Sequence, residues 1–306
     1  MKLAVLADES AISLASIRRE KDMPPSLELC DVQPIETFSV RDAELARIAK
    51  QNELDNYLCH SVLELGEYHL LMVEAPDVKP EEVRAAIRFR IRELIDFDIN
   101  DAVVDVFNVP AAKSAGSAKM VYAVVAKASS VKERIDRLNE AGLKLDIIDI
   151  PELALRNVAS LLPEDVAGVA LLYVDRRQGL ITITKQSELF LSRTIKAGYE
   201  RLPEAVLSVM DDEDCMRWLD QIVIEVQRSM DFYESHFGQP QVSSLVMSPL
   251  GKEIPGMTEY LSEQLQINVR ILDVNDLIDT KESIANDIQS QCLLAIGTAL
   301  RQEQAA

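Results

Sequence analysis

The chain has little cysteine and little histidine, and neither is clustered. Its four cysteines (Cys30, Cys59, Cys215, Cys292) are scattered without a Cys-x-x-Cys pair, which excludes a disulfide framework or a cysteine zinc site. His60, His69 and His236 also stand apart, without the i, i+4 spacing of a helical metal site. No uninterrupted apolar run approaches the roughly 20 residues that span a bilayer, so any membrane association is expected to be borrowed from a partner. Basic residues are in deficit, 32 Lys and Arg against 51 Asp and Glu, for a formal net charge of −19. Such a surface repels nucleic acid and an anionic leaflet alike. The start MKLAVLADES lacks the cationic lead, the long apolar stretch and the small-residue cleavage site of an export signal, so a cytoplasmic protein is expected.

What is present is apolar and repetitive. A chain of 306 residues, 48% hydrophobic, can bury two cores of ordinary size. Leu3 to Ile17 and Leu171 to Ile183 are the same device written twice: a buried apolar strand, an Asp at the turn (Asp8, Asp175) and an alternating second strand. The Asp residues lie 167 positions apart, about one domain length. Two α/β halves that each open with a hairpin are the plan of actin-like, ribonuclease H-like duplicated folds, so a two-lobed α/β clamp with a central cleft is expected. The boundary is placed at Leu162/Pro163, giving an N-terminal lobe 1–162 with an inserted subdomain and a C-terminal lobe 163–306.

Along the first half, Leu27 to Ile35 reads as a strand and Arg41 to Asn52 as a helix. Val62 to Leu65 and Tyr68 to Val73, flanking Gly66-Glu67, read as a further hairpin. Pro80, Glu81 and Glu82 open a helix over 79–94 with Val83, Ala86, Ile87, Ile91 and Leu94 on one face. Arg84, Arg88 and Arg92 stripe that helix and are expected to be a solvated face paired with Glu81, Glu82 and Glu93. Pro110 to Lys119 reads as a loop, and Ser129 or Ser130 as the cap of a helix ending at Gly142. In the second half Glu213 to Phe237 is a long amphipathic helix, with Asp211 to Asp214 at its start and Trp218 as packing. Strands and helices interleave, the mark of an α/β protein.

Tyr122 to Lys127, Ala141 to Asn157, Arg193 to Gly198, Glu225 to Tyr233 and Ala295 to Arg301 resemble, in that order, stretches of the PilM family of type IV pilus proteins, and most closely its MshI branch in mannose-sensitive haemagglutinin (MSHA) pilus biogenesis. The resemblance implies an actin-like fold holding ATP between lobes on two Asp-x-Gly phosphate loops and a Gly-Gly adenosine loop. It also implies a scaffold of the inner-membrane pilus assembly platform whose N-terminal lobe docks the cytoplasmic tail of a PilN-like membrane protein. Glycine matters in such loops because phosphate must approach backbone N–H groups.

This chain departs from that pattern in all three loops. Depending on register, the glycine positions fall on Asp8 and Asp175, with Leu6 and Tyr173 where the acids belong, or on Ser10 and Arg177. The third loop reads Ser248-Pro249-Leu250-Gly251, with Pro249 and Leu250 in place of Gly-Gly. The expectation is a degenerate nucleotide pocket around Asp8, Ser10, Asp175, Gly198, Ser248 and Gly251, without ATP or Mg²⁺ and without catalysis. Asp8 and Asp175 then cap tight turns rather than act as an acid/base pair. The competing readings are an ATP-binding or ATP-hydrolysing switch, a filament-forming relative of actin, and the cytoplasmic domain of a type II secretion platform protein.

Overall fold

The computed structural model describes residues 2–20, 23–110, 119–201, 213–251 and 254–302. β1 (Lys2–Ala7), β2 (Ala11–Arg18) and β3 (Ser26–Pro34) form an antiparallel meander. After α1 (Arg41–Gln51), β4 (Leu58–Val62) returns parallel to β1. An excursion follows through β5 (Tyr68–Glu74), α2 (Val83–Ile91), β6 (Ala102–Asn108) and β7 (Met120–Lys127), whose strands make their own antiparallel sheet in the order β5-β7-β6. The chain then re-enters the first unit with α3 (Ala128–Glu140), β8 (Lys144–Asp149) and α4 (Pro151–Ala159). Leu3, Ala4 and Val5 in succession are buried, as required of a central strand covered on both faces.

The second half repeats this course without the excursion: β9 (Val169–Val174), β10 (Gly179–Lys185), β11 (Glu188–Ile195), α5 (Glu213–Phe237), β12 (Ser244–Met247), α6 (Met257–Leu265), β13 (Asn268–Ile271), β14 (Asp279–Thr280) and α7 (Asn286–Ala299). Its sheet runs β11-β10-β9-β12-β13, matching β3-β2-β1-β4-β8 of the first. The hairpins share one register at a displacement of 167 residues: Val5 faces Leu14 and Leu172 faces Ile181. By position in the repeat α4 and α7 are equivalent, and they cross at close quarters. A Cβ on Gly297 would lie 2.3 Å from the carbonyl oxygen of Ala154, and Asn157 Nδ2 donates to the Gly297 carbonyl at 2.9 Å. The expected boundary at 162/163 falls between α4 and β9. Two later segments still pack on the first sheet, β14 as a parallel neighbour of β3 and α7 across β1 to β3.

α5 has the boundaries its periodicity predicts. Leu219, Ile222, Val226, Met230, Tyr233 and Phe237 are buried along one face, and Gly238 stops it at φ +59°. Trp218 is buried and donates its Nε1–H to the Ala197 carbonyl at 2.9 Å. Of the acidic run before α5, Asp211 and Asp212 lie outside the described residues, while Glu213 and Asp214 pair with Arg217 in the first turn at 3.0 and 2.7 Å. Most of the expected Pro110–Lys119 loop, residues 111–118, likewise lies outside them.

Three local expectations fail. Val62–Leu65 and Tyr68–Val73 are not a hairpin: β4 belongs to the first sheet and β5 to the inserted one, with Gly66 at φ +98° between them. The turn signal marks a reversal of the chain but not which sheet each strand joins. α3 begins at Ala128 with Lys127 as its N-cap and no side-chain cap, so neither Ser129 nor Ser130 caps it. The arginine stripe keeps its exposed, salt-bridged character at Arg84 but not the expected partners: Arg84 pairs with Asp105 at 2.7 Å, and the half-buried Arg88 donates to the carbonyls of Ile99 and Ala102.

Glu152, in the first turn of α4, joins three elements. Tyr68 of β5 donates its hydroxyl to Glu152 Oε2 at 2.5 Å, and Ser192 of β11 donates to Oε1 at 3.4 Å. Burial pushes the Glu152 carboxyl above its ordinary range, against the opposing pull of the Tyr68 hydrogen bond. A raised carboxyl favours the folded state most below its unfolded value and loses that contribution as pH rises through the folded one. Glu152→Gln keeps an acceptor for Tyr68 and removes the buried charge. Its stability relative to the parent is therefore expected to increase from pH 4 toward pH 8, measured by urea unfolding; a variant-minus-parent difference that falls or stays flat with pH contradicts this assignment.

Candidate functional site

The two hairpin turns face each other across a cavity of about 340 Å³. In the first turn Asp8 Oδ1 accepts from Ser10 N at 2.6 Å, Ser10 Oγ at 2.8 Å and Ala11 N at 2.8 Å. In the second, Asp175 Oδ1 accepts from Arg177 N and Gln178 N, each at 2.7 Å. The turns also close alike through backbone, Asp8 N to Ala11 O at 3.1 Å and Asp175 N to Gln178 O at 2.9 Å. Both are Asx turns, the local hydrogen bonding for which Asp is favoured there. Burial pushes the Asp175 carboxyl up while the N–H groups of Gln178 and Arg177 oppose it.

The turns touch. Arg177 bridges to Glu9 of the other turn, and Gln178 Nε2 donates to the Leu65 carbonyl at 3.1 Å. Both charges of the bridge are more than half exposed, so it contributes at most about 1 kcal/mol. The buried α4–α7 crossing carries the lobe contact. On the floor of the cavity Arg134 of α3 is buried, with Nη2 on Glu67 Oε2 at 2.5 Å and Nη1 on Ser61 Oγ at 3.3 Å. Its Nε has no acceptor among the described residues. Burial, then the neighbouring Glu67, pushes the Glu64 carboxyl up.

Of the six residues picked from sequence, Asp8, Ser10 and Asp175 line the cavity. Gly198, Ser248 and Gly251 do not, and each has another place. Gly198 seats the segment after β11 on the second turn: an added Cβ would lie 2.0 Å from the Arg177 carbonyl carbon, and the next residues bond that turn, Tyr199 N to Asp175 O at 3.2 Å and Glu200 N to Arg176 O at 2.7 Å. Ser248 is buried and ties the ends of two strands, its N–H on Leu172 O at 2.7 Å and its Oγ accepting from Val174 N at 3.2 Å. Gly251 is exposed. Sequence reasoning missed Arg134, Glu64 and Gln178 as cavity residues. Only Gln178 carries a signal, since it stands 167 positions after Ala11 in the repeat.

A triphosphate needs free N–H groups at such turns. Here the donors of Ser10, Ala11, Arg177 and Gln178 already face carboxylates of their own turns. An incoming phosphate would have to displace them and sit beside a negative charge, at a cost on the order of 1 kcal/mol per turn in bulk water and about 4 kcal/mol at an effective dielectric of about 20, at about 4 Å. The residues present do not fit the phosphate groups of ATP.

The duplicated five-strand order, the separate β5-β7-β6 sheet and the cavity between the two hairpin turns define an actin-like ATPase fold, and solved structures bear this out. The chain overlaps a chain of the PilM–PilN type IV pilus biogenesis complex at a TM-score of 0.75 and 18% identity, over 98% of this chain and 97% of the other. It overlaps a Bacteroides thetaiotaomicron protein with an actin-like ATPase fold and unknown function at a TM-score of 0.53 and 10% identity, over 96% and 95%. Residues 215–303 match the family model for the type IV pilus assembly protein PilM. No curated protein matches the chain.

Proposed function

We propose that this protein is a non-catalytic, PilM-like scaffold of a type IV pilus assembly platform. In this reading it is cytoplasmic and reaches the inner membrane by binding the cytoplasmic tail of a PilN-like membrane protein, and its interlobe cavity is a degenerate nucleotide pocket. The observation that carries the reading is the match of residues 215–303 to the PilM model in a chain whose two cleft turns are closed by their own carboxylates. The resemblance of the ordered stretches between Tyr122 and Arg301 to the MshI branch favours an MSHA-type pilus. Among the described residues no helix is long and apolar enough to cross a membrane. Cytoplasmic segments beside a membrane span tend to be basic, and a net charge of −19 attracts one.

A synthetic basic tail of a PilN-like partner is accordingly expected to bind the intact protein, with association slowing as salt rises. Screening beyond about 8–10 Å removes steering and leaves buried contacts intact. Surface plasmon resonance across a salt series measures this. No binding, or a salt effect confined to dissociation, counts against the scaffold. The second reading, an ATP-dependent switch, draws support from the cavity itself, whose volume of about 340 Å³ lies within the range of small-molecule sites.

A further inference from the structure

Closing the two turns leaves charge over. Three arginines line the cavity between them, and each is already paired: Arg177 with Glu9, Arg176 with Glu200 at 3.3 Å and Arg134 with Glu67 at 2.5 Å. The carboxylates of Asp8, Glu64 and Asp175 also line it and have no Lys or Arg partner among the described residues. Both turns draw their N–H donors onto Oδ1, so Oδ2 of Asp8 and of Asp175 keeps its lone pairs. A second observation is independent of charge. Ser13 of β2 lines the same cavity and is 5% exposed, yet its hydroxyl has no hydrogen-bond partner among the described residues. A buried hydroxyl is costly in that state unless a group in the cavity bonds it.

Among the described residues, no three His, Cys, Asp or Glu side chains are placed to share a metal ion. The unpaired carboxylates therefore suit positive charges held apart on one molecule rather than a single compact ion. The half-buried side chains of Leu6, Leu65 and Leu294 give the same cavity an apolar wall. A ligand that satisfies both is cationic at separated points and aliphatic between them.

We infer that the cavity is a binding site for an aliphatic diamine, whose ammonium groups pair with Asp8, Glu64 and Asp175 and whose methylenes lie on the leucines. An ammonium N–H also gives the Ser13 hydroxyl the donor it lacks. The raised carboxyls of Asp175 and Glu64 belong to the unliganded cavity, and a bound ammonium favours their ionised form. The same negative charge that turns phosphate away thus selects its opposite. The inference rests on the reading of this cavity as closed to nucleotide, and is independent of the membrane partner.

The test is calorimetric titration of the intact protein with 1,4-diaminobutane at physiological salt, which screens the general attraction of an acidic surface. One site is expected, with n-butylamine weaker by about tenfold or more. Asp8→Asn with Asp175→Asn keeps the Oδ1 acceptor that closes each turn and should weaken the diamine by about tenfold or more. Ser13→Ala leaves every charge in place and should weaken it by about threefold or more. Glu263→Gln, exposed on α6 and outside the cavity, should leave the affinity unchanged. Absence of diamine binding, equal binding of the monoamine, or as large a loss in Glu263→Gln as in the cavity variants overturns the proposal. A parallel titration with ATP and Mg²⁺ separates the failures: no heat from either ligand removes the diamine site alone, whereas nucleotide binding removes the closed-cavity reading with it.

Discussion

Gly297→Ala lowers the stability of the protein by about 3 kcal/mol or more, although alanine is the better helix former by about 1 kcal/mol. The two effects oppose, and geometry decides between them. The added methyl would stand 2.3 Å from the Ala154 carbonyl oxygen and 3.1 Å from its Cα, against backbone that cannot rotate away. α4 and α7 must separate, which opens the interlobe core of Leu155, Val158, Leu293 and Ile296 and strains the Asn157 hydrogen bond to Gly297. Urea unfolding measures the loss. An unchanged or higher midpoint contradicts the crossing described.

Arg301→Ala costs about 3–5 kcal/mol, because it strands a buried charge. Arg301 Nη1 meets Asp149 Oδ2 at 2.7 Å, and the Asp149 side chain is 1% exposed. Asp149 closes β8, and its Oδ1 accepts from Ile150 N at 2.9 Å, so the ion pair joins the chain after α7 to the start of α4. Asp149→Asn in the Arg301→Ala background should recover part of the loss, since the stranded carboxylate is then gone. If the single substitution costs under about 1 kcal/mol, the pair is a surface bridge in energetic terms and the assignment fails.

Gly297 lies in the helix-to-helix contact between repeats and the Arg301–Asp149 pair just beyond its ends, and that contact was the least legible part of the fold. The hairpins could be read because an apolar strand, an Asp at the turn (Asp8, Asp175) and an alternating second strand are local sequence signals, and their equivalence because the device recurs at a constant displacement. The span of α5 could be read because its stripe is long and Gly238 ends it. The affiliation of β4 and β5 could not, since Gly66-Glu67 specifies a reversal and nothing about the sheets on either side.

The cleft follows the same division. Asp8, Ser10 and Asp175 lie within turns that sequence defines, and they reach the cavity together. Gly198 was chosen for its place in a family pattern, yet its close approach to Arg177 shows it serving the second turn from outside the cavity. Arg134 and Glu64 arrive from α3 and from the turn after β4, 70 positions apart. Their convergence is tertiary, and no spacing in the chain announces it.

Two turns whose N–H groups are satisfied by their own carboxylates close the cleft to phosphate, and isothermal titration of the intact protein with ATP and Mg²⁺ tests that directly. No binding heat is expected at nucleotide concentrations up to about 1 mM, an affinity weaker than about −4 kcal/mol. A micromolar Kd, near −8 kcal/mol, or nucleotide retained through purification, would contradict it and restore the switch.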